Sequence, residues 1–376
     1  MLPVTWDQVR ARRLERSSLI PRAAADELVD VTHNTAGVHA QVQASAELQL
    51  AARVEGITRA DVQEALWDRR ALVKAWTLRG TLHLHPAGEL AVWLAARRAV
   101  VPAESGLDEW RDPNGVVHPA LGSDEVQAIR RAVWDALDGR CPTREELSAE
   151  VVKRVGPGPW ERLLSGFAFF LGELCQGPPQ GSKVTFVRPD QWIDDWREVD
   201  PQDALGEVCR RFLHAYGPAR PADFREWFSG PAFKTSDARE LFGKLDLEEV
   251  DVEDHRAFVL AGDAVFPEPQ ASVRLLPEYD VFVMGFRQRE HLVPAPVREQ
   301  VAAHGRGRYE GPAGVRFLMI DGIAAGLWER KKRGKHLDLR IDPVRRLTRA
   351  QRSDLEDEVE RIGAFTGLLT SGIDLG

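Results

Sequence analysis

The sequence has 376 residues, of which 43% are hydrophobic and 29% charged, and its formal net charge at pH 7 is −8. This composition is typical of a folded globular protein of two or three domains, and it excludes a fibrous or disordered chain. The first 16 residues contain no apolar signal-peptide core, and the most apolar run, residues 166–174, is too short to span a bilayer. We therefore expect a cytoplasmic protein.

The three cysteines, Cys141, Cys175 and Cys209, are isolated in the sequence and odd in number. No pair has the spacing of metal ligands, and a disulfide framework is not expected from such a pattern. The sequence therefore predicts a reduced protein without a metal ion or other cofactor.

The charges are unevenly distributed along the chain. Segment 330–349 contains nine basic and two acidic residues, a local charge of 9 − 2 = +7, whereas segment 246–254 contains six acidic residues and no basic one. A local basic stripe is compatible with nucleic acid binding, and it is equally compatible with a solvated surface. Charge alone leaves both interpretations open.

The first predicted unit, residues 1–120, consists of helices followed by a hairpin. Helical spacing of apolar residues predicts helices over 24–32 and 45–54, and Thr58 can cap a third helix. Two β-rich runs within 72–85 flank Arg79-Gly80 and predict a β-hairpin with Arg79 at its tip.

The next two predicted units repeat this order. In the second unit, residues 121–200, helices are predicted over 124–137, 143–155 and 160–176, followed by a strand over 183–188. In the third unit, residues 201–270, helices are predicted over 203–216, 222–230 and 236–245, followed by strands over 248–254 and 256–263. Three helices and a hairpin are the order of a winged helix, so we predict an α+β chain with tandem winged-helix (helix-turn-helix) motifs. A generic α+β protein remains the alternative.

The last predicted segment, residues 271–376, is β-rich. Its alternating apolar pattern predicts a small antiparallel sheet or partial barrel over 271–343, and Thr348 can cap a final helix over 348–365. Asp321-Gly322 is predicted to be a turn between two strands.

Six stretches of the sequence together resemble one protein family. They are HAQVQAS (39–45), WTLRGTLHLHP (76–86), LCQGPPQGSKVTFV (174–187), YGPARPADFREW (216–227), LLPEYDVFVMG (275–285) and DGIAAGLWERK (321–331). They resemble the winged-helix DNA glycosylases. Gln41-Val42-Gln43 is similar to the Gln-apolar-Gln motif of the AlkZ-like branch, which acts in azinomycin resistance and on interstrand crosslinks; the branch typified by YcaQ has Gln-apolar-Asp. The resemblance implies tandem winged helices that form a concave, positive surface for duplex DNA.

The resemblance also implies a monofunctional glycosylase that acts on N7-alkylated purines, including azinomycin-type interstrand crosslinks. Such a purine already carries positive charge, so it leaves without an acid. A carboxamide oxygen can accept a hydrogen bond from water while its NH₂ group donates elsewhere, which makes Gln41 and Gln43 candidate catalytic residues. Their side chains converge only if the backbone between them is extended or turning, so residues 37–44 should not be a regular helix, or should lie at a helix N-terminus. No Lys is placed to form a Schiff base, so lyase activity is not expected.

Other residues are candidates for lining the site or binding DNA. Possible site-lining residues are His39, His83, His85 and Asp280. Candidate DNA-binding residues are Arg79, Arg287, Arg289, Arg306, Arg308, Lys331, Lys332, Arg333 and Lys335. Segment 291–305 could be a surface loop or a hairpin that probes a groove.

The expected partner is double-stranded DNA, bound by a monomer, because several winged-helix units in one chain reduce the need for dimerisation. An interstrand crosslink ties two strands together and cannot rotate fully into a snug pocket, so an open site is expected. Two alternatives remain: a DNA-binding regulator without chemistry, and a resistance protein that sequesters a drug.

Overall fold

The computed structural model describes residues 1–101, 106–111, 114–164, 174–229, 233–253, 255–285, 289–307 and 311–375, a mixed arrangement of helices and sheets. The α-helices of these residues are α1 Trp6–Arg16, α2 Leu28–Asn34, α3 Gln43–Ala51, α4 Arg59–Trp67, α5 Leu90–Val100, α6 Ser123–Ala136, α7 Arg144–Val155, α8 Pro157–Leu164, α9 Pro189–Trp192, α10 Pro201–Tyr216, α11 Pro221–Phe228, α12 Thr235–Gly243, α13 Val281–Gly285, α14 Ala295–Ala303 and α15 Arg349–Thr366. The strands are β1 Leu2–Val4, β2 Val38–His39, β3 Leu72–Trp76, β4 Leu82–Pro86, β5 Trp110–Arg111, β6 Val117–His118, β7 Cys175–Gln180, β8 Lys183–Val187, β9 Leu247–Val252, β10 His255–Leu260, β11 Val273–Leu276, β12 Phe317–Ile320, β13 Ile323–Arg333, β14 His336–Pro343 and β15 Leu369–Leu375.

The contacts divide the chain into two compact units, each made of separate segments. Unit 1 contains residues 1–63, 209–227 and 235–376, and unit 2 contains residues 64–208 and 228–234. The four segments predicted from the sequence stay a prediction, because compactness alone does not identify helix-and-hairpin repeats.

Unit 1 contains two sheets around one hydrophobic core. In the first sheet β9 lies between β1, which is parallel to it, and β10, which is antiparallel. The second sheet has the order β11-β12-β13-β14-β15, with antiparallel pairs except for β15, which runs parallel to β14. Val9, Leu276 and Phe317 are fully buried in the core. Burial of each such side chain is worth about 1.5–3 kcal/mol of stability.

Unit 2 contains a helical bundle, two β-hairpins and the short antiparallel strand pair β5–β6. Helices α6, α7 and α8 bury Ile129, Val133 and Trp160 in a common core. Helix α7 begins after Thr143, whose hydroxyl accepts from the backbone N–H of Glu146, while the Glu146 carboxylate accepts from the Thr143 backbone N–H. The hairpins are β3–β4 and β7–β8.

Several predicted elements are confirmed. The hairpin within 72–85, the capped helices after Thr143 and Thr348, and the turn at Asp321-Gly322 all lie where the sequence places them. The turn needs left-handed backbone, and the φ angles of Asp321 and Gly322 are 53° and 74°. Among the described residues, none of the helices has both the length and the apolar character needed to cross a bilayer.

Other predictions are wrong and need correction. The helix predicted over 160–176 cannot reach its predicted end, because Cys175–Gln180 is the strand β7; residues 165–173 lie outside the described part of the chain. Segment 291–305 is neither a loop nor a hairpin: it contains α14, whose Val297 and Val301 are buried in the core of unit 1. Val281–Gly285, predicted as β-rich, is the short helix α13.

Candidate active site

Gln41 and Gln43 lie on a turn that leads from β2 into α3. Residues 41 and 42 form a bend, Val42 is the N-cap residue with extended backbone (φ −110°, ψ 106°), and Gln43 is the first helical residue. Gln41 is exposed and Gln43 is partly exposed. The prediction that 37–44 is not a regular helix, or lies at a helix N-terminus, is therefore confirmed. An extended residue between the two amides allows both side chains to project from the same turn.

Buried hydrogen bonds attach this turn to the segment that follows β11. The Ser45 hydroxyl donates to the backbone carbonyl of Glu278. Gln49, which is fully buried, donates from Nε2 to the backbone carbonyl of His39 at 3.0 Å and accepts at Oε1 from the backbone N–H of Val281 at 3.2 Å. Because both ends of the Gln49 amide are used, the turn has a fixed position in unit 1.

A buried ion pair reinforces the same connection. The Arg53 guanidinium donates to both carboxylate oxygens of Asp280, at 2.7 and 2.9 Å, and neither side chain is exposed to solvent. Asp280 also accepts from the backbone N–H of Phe282 at 2.9 Å. That Asp280 lines the site stays a prediction; its oxygens are buried and bind Arg53 and the backbone N–H of Phe282.

The glutamine turn contacts the carboxylate of Glu47, which lies one helical turn after Gln43. Its side chain is 1% exposed. It accepts from the amide Nε2 of Gln43 at 3.3 Å, from Nε2 of Gln63 at 2.7 Å and from Nε of Arg59 at 2.9 Å. Glu47 is not among the residues predicted from the sequence, although its position four residues after Gln43 places both on one face of a helix.

A second buried carboxylate belongs to Glu278, the residue whose backbone carbonyl accepts the hydrogen bond from the Ser45 hydroxyl. Arg316 donates to both of its oxygens, at 2.6 and 2.9 Å, and the exposed Arg306 lies 3.8 Å away. Burial alone would raise the pKa of Glu278, but the hydrogen bonds and charge of Arg316 outweigh it, so the pKa lies below its ordinary value. Arg330 of β13 interacts electrostatically with both Glu278 and Glu47, and its pKa is lowered by burial and by the charge of Arg316.

Comparison of the chain with known proteins identifies a family of related sequences and a related solved structure. The model of the family described as "DNA glycosylase AlkZ-like" matches residues 32–365. A curated protein of Streptomyces sahachiroi, "Interstrand DNA cross-link repair glycosylase", is 33% identical over 343 residues, which cover 87% of this chain and 88% of that protein. The solved structure of Streptomyces sahachiroi DNA glycosylase AlkZ superimposes with a TM-score of 0.82 at 29% identity and covers 100% of both chains.

The chain belongs to the AlkZ-like DNA glycosylase family. It is therefore an enzyme that hydrolyses N-glycosyl bonds in DNA. No group of three or more His, Cys, Asp or Glu residues within the described ranges could hold a metal ion.

The histidines predicted to line the site of this AlkZ-like glycosylase are buried. His39 is 5% exposed, with its ring 5.2 Å from that of Tyr279. His83 and His85 share one face of β4 in unit 2, as their alternation predicts. The His85 ring contacts Thr77 Oγ1 at 2.9 Å, and its centroid lies 4.3 Å from that of Trp93 with the two ring planes tilted by 31°. With exposures of 1% and 0%, His83 and His85 offer little surface to a ligand.

The basic residues predicted to bind DNA have different surroundings. Arg79 lies at the β3–β4 turn, with φ 51°, and is partly buried. Lys331, Lys332, Arg333 and Lys335 are all exposed at the end of the β13–β14 hairpin. Arg306 is exposed and Arg289 is partly buried, whereas Arg287 and Arg308 lie outside the described residues. The exposed hairpin end is the strongest concentration of predicted DNA-binding residues.

Proposed function

We propose that this glycosylase hydrolyses the N-glycosidic bond of N7-alkylated purines in duplex DNA and unhooks azinomycin-type interstrand crosslinks. Membership of the family supplies the reaction, and the Streptomyces relative is named for repair of interstrand crosslinks. Gln41 and Gln43 are proposed to be the catalytic residues, because they are the predicted side chains that the turn before α3 presents to solvent.

The observation that supports the substrate class is the state of two buried carboxylates, Glu47 and Glu278, whose residues are hydrogen-bonded to the start of α3. A general acid that helps a neutral purine to leave must carry a proton and reach the base. Glu278 is buried and its pKa is lowered beside Arg316, so it is ionised at neutral pH. Glu47 is buried beneath Gln43, with its oxygens hydrogen-bonded to Arg59 and two amides. Neither group is placed to protonate a leaving base, which favours a substrate that brings its own positive charge.

In the proposed reaction the C1′–N9 bond breaks, and its electron pair neutralises the positive charge of the alkylated purine. Water then adds to C1′ and loses a proton to solvent, which leaves an abasic site. The amide oxygens of Gln41 and Gln43 accept hydrogen bonds from this water or from the sugar and so fix its direction. Placement of a reactant can supply several kcal/mol of barrier lowering, with about 7–11 kcal/mol as the upper range. No covalent enzyme intermediate is needed, which agrees with a monofunctional enzyme.

DNA is proposed to bind through tandem winged helices that form a concave surface, with the basic end of the β13–β14 hairpin on the phosphates. Four cationic side chains within five residues are exposed there. An open site suits a crosslink, since a base that is tied to both strands cannot rotate into a closed pocket. The sequence and the exposure of the glutamine turn support such a site.

The basic end of the β13–β14 hairpin leads to a separate prediction about how DNA affinity depends on salt concentration. Replacing Lys331, Lys332 and Lys335 together by alanine should weaken duplex binding and reduce the slope of log affinity against log salt by up to about 2.7, since each phosphate contact contributes about 0.9. Binding should be measured by fluorescence anisotropy between about 50 and 200 mM salt. Base release at saturating DNA should be unchanged.

A matched control is the double variant Lys153→Ala, Lys244→Ala. The two lysines are 68% and 66% exposed, and each pairs with a glutamate three or four residues earlier in the chain. Their removal should leave the salt slope unchanged. An unchanged slope in the hairpin variant would contradict phosphate binding by these three lysines.

The function is tested by incubating the enzyme with four duplexes: one with N7-methylguanine, one with an azinomycin-type crosslink, one with neutral hypoxanthine and one undamaged. We expect base release from the first two and intact strands until the abasic product is treated with alkali. Comparable release of hypoxanthine would show that a cationic leaving group is not required. Sequence-specific binding of undamaged DNA without base release would instead indicate a regulator.

A further inference from the structure

The amide of Gln43 is bound at one end by a buried carboxylate. Gln43 and Glu47 are four residues apart on α3 and therefore lie on the same helical face. The distance from Gln43 Nε2 to Glu47 Oε1 is 3.3 Å, and the Glu47 side chain is 1% exposed. A charged group buried to this extent needs hydrogen-bonding partners, and Glu47 has three of them.

The chemistry of a carboxylate decides which way the Gln43 amide faces. A carboxylate only accepts hydrogen bonds, whereas a carboxamide donates from NH₂ and accepts at oxygen. Of the two ends of the Gln43 amide, only the NH₂ can therefore bind Glu47. The amide oxygen then lies on the side away from Glu47, and it is the oxygen that can accept a hydrogen bond from water.

The Glu47 carboxylate is itself held in place from α4. Gln63 donates to the same oxygen as Gln43, at 2.7 Å, and Arg59 donates to the other oxygen at 2.9 Å. With both oxygens bound from α4, the carboxylate is a fixed reference for the amide above it. A glutamine held at one end in this way loses little rotational freedom when water binds to the other end.

We propose that Glu47 is a positioning residue for base excision: it fixes the Gln43 amide in the one orientation that turns the oxygen toward water or the sugar. This inference rests on the proposed catalytic role of Gln43. Glu47 itself touches neither the substrate nor the water.

The test is a double-mutant cycle between Glu47→Gln and Gln43→Ala, with single-turnover release of N7-methylguanine as the readout. Glutamine at position 47 has nearly the same shape as glutamate but can donate as well as accept, so the Gln43 amide can adopt both orientations. We expect Glu47→Gln alone to slow base release by roughly 100-fold, the scale reached by misplacing a reacting group. Duplex affinity should stay within about twofold of the wild-type value.

The decisive result is the effect of Glu47→Gln when Gln43 is already alanine. If Glu47 acts through the Gln43 amide, the second substitution should slow base release no further. An equal loss in both backgrounds would mean that Glu47 acts independently of the Gln43 amide, and the inference would be overturned while the role of Gln43 stands. A wild-type rate for Gln43→Ala would overturn both the catalytic assignment and the inference that depends on it.

The double-mutant cycle remains informative even if one of the Glu47 variants fails to fold. Arg59 is 54% exposed, so loss of its partner strands no buried cation, and Glu47→Gln should fold. Thermal unfolding and duplex affinity check this directly. Glu47→Met keeps the length of the side chain but cannot bind the Gln43 NH₂ as a carboxylate does, and it should show the same loss of rate and the same dependence on Gln43.

Discussion

Replacing both Gln41 and Gln43 by alanine is expected to reduce base release from N7-methylguanine DNA by at least about 100-fold while duplex affinity is retained. The turn before α3 presents the amides, but the fold around it depends on Ser45 and Gln49, so removing the amides should not disturb the backbone. The measurement is single-turnover release at saturating enzyme, together with anisotropy on the same duplex.

The single variants should not add up to the double variant, because two groups that direct one water act as a unit. Each alone is expected to lose most of the rate. Gln270→Ala is a suitable control: it removes an exposed amide from the loop between β10 and β11 and should be fully active. A double variant that releases the base at the wild-type rate would refute the proposed mechanism.

The second large effect concerns stability. Replacing Asp280 by alanine should lower the free energy of unfolding by about 3–5 kcal/mol, the usual cost of leaving one partner of a buried ion pair without its counterion. Arg53 cannot reach solvent in its place, since its side chain is 0% exposed, and the backbone N–H of Phe282 would also lose its acceptor. Urea denaturation followed by circular dichroism would measure the loss.

Two control variants test whether the loss of stability in Asp280→Ala comes from the buried charge. Glu240→Ala breaks an ion pair with Lys244 whose partners are 70% and 66% exposed, and it should cost no more than about 0.5 kcal/mol. The double variant Arg53→Met, Asp280→Leu should recover much of the loss, because no buried charge remains. A cost below about 1 kcal/mol for Asp280→Ala would contradict the view that this pair anchors the segment beside the glutamine turn.

Local chemistry explains which elements could be predicted from the sequence. The helices after Thr143 and Thr348 begin with a hydroxyl cap and a Glu or Gln three residues later, a signal that needs no tertiary partner. The β3–β4 hairpin likewise follows from its alternating pattern around Arg79-Gly80. The glutamine turn was expected from the chemistry required of it, because two amides at i and i+2 diverge on a helix.

The failures occurred where pairing partners or burial decide the structure. Cys175–Gln180 forms a strand because β8 binds it, and the apolar sequence before it gave no sign of where a helix would end. The segment of α14 is predicted from its prolines to be a loop or a hairpin, although Pro296 lies in the first turn of the helix, where no N–H partner is lost. The last strand, β15, pairs in parallel with β14, and no local signal encodes that choice. The part played by Glu47 became visible only once the start of α3 was known.

The parallel pairing of β1 with β9 has a consequence for how the molecule is made. Residues 2–4 leave the ribosome 248 residues ahead of their partners at 250–252 (250 − 2 = 248). At about 5–20 residues per second, that interval is roughly 12–50 s. During this time the continuous stretch 64–208 can already acquire its tertiary structure, whereas the amino-terminal strand must wait. Nascent chains halted just before residue 247 should therefore expose the first strand to chaperones and proteases, although all of unit 2, which ends at residue 234, has been translated.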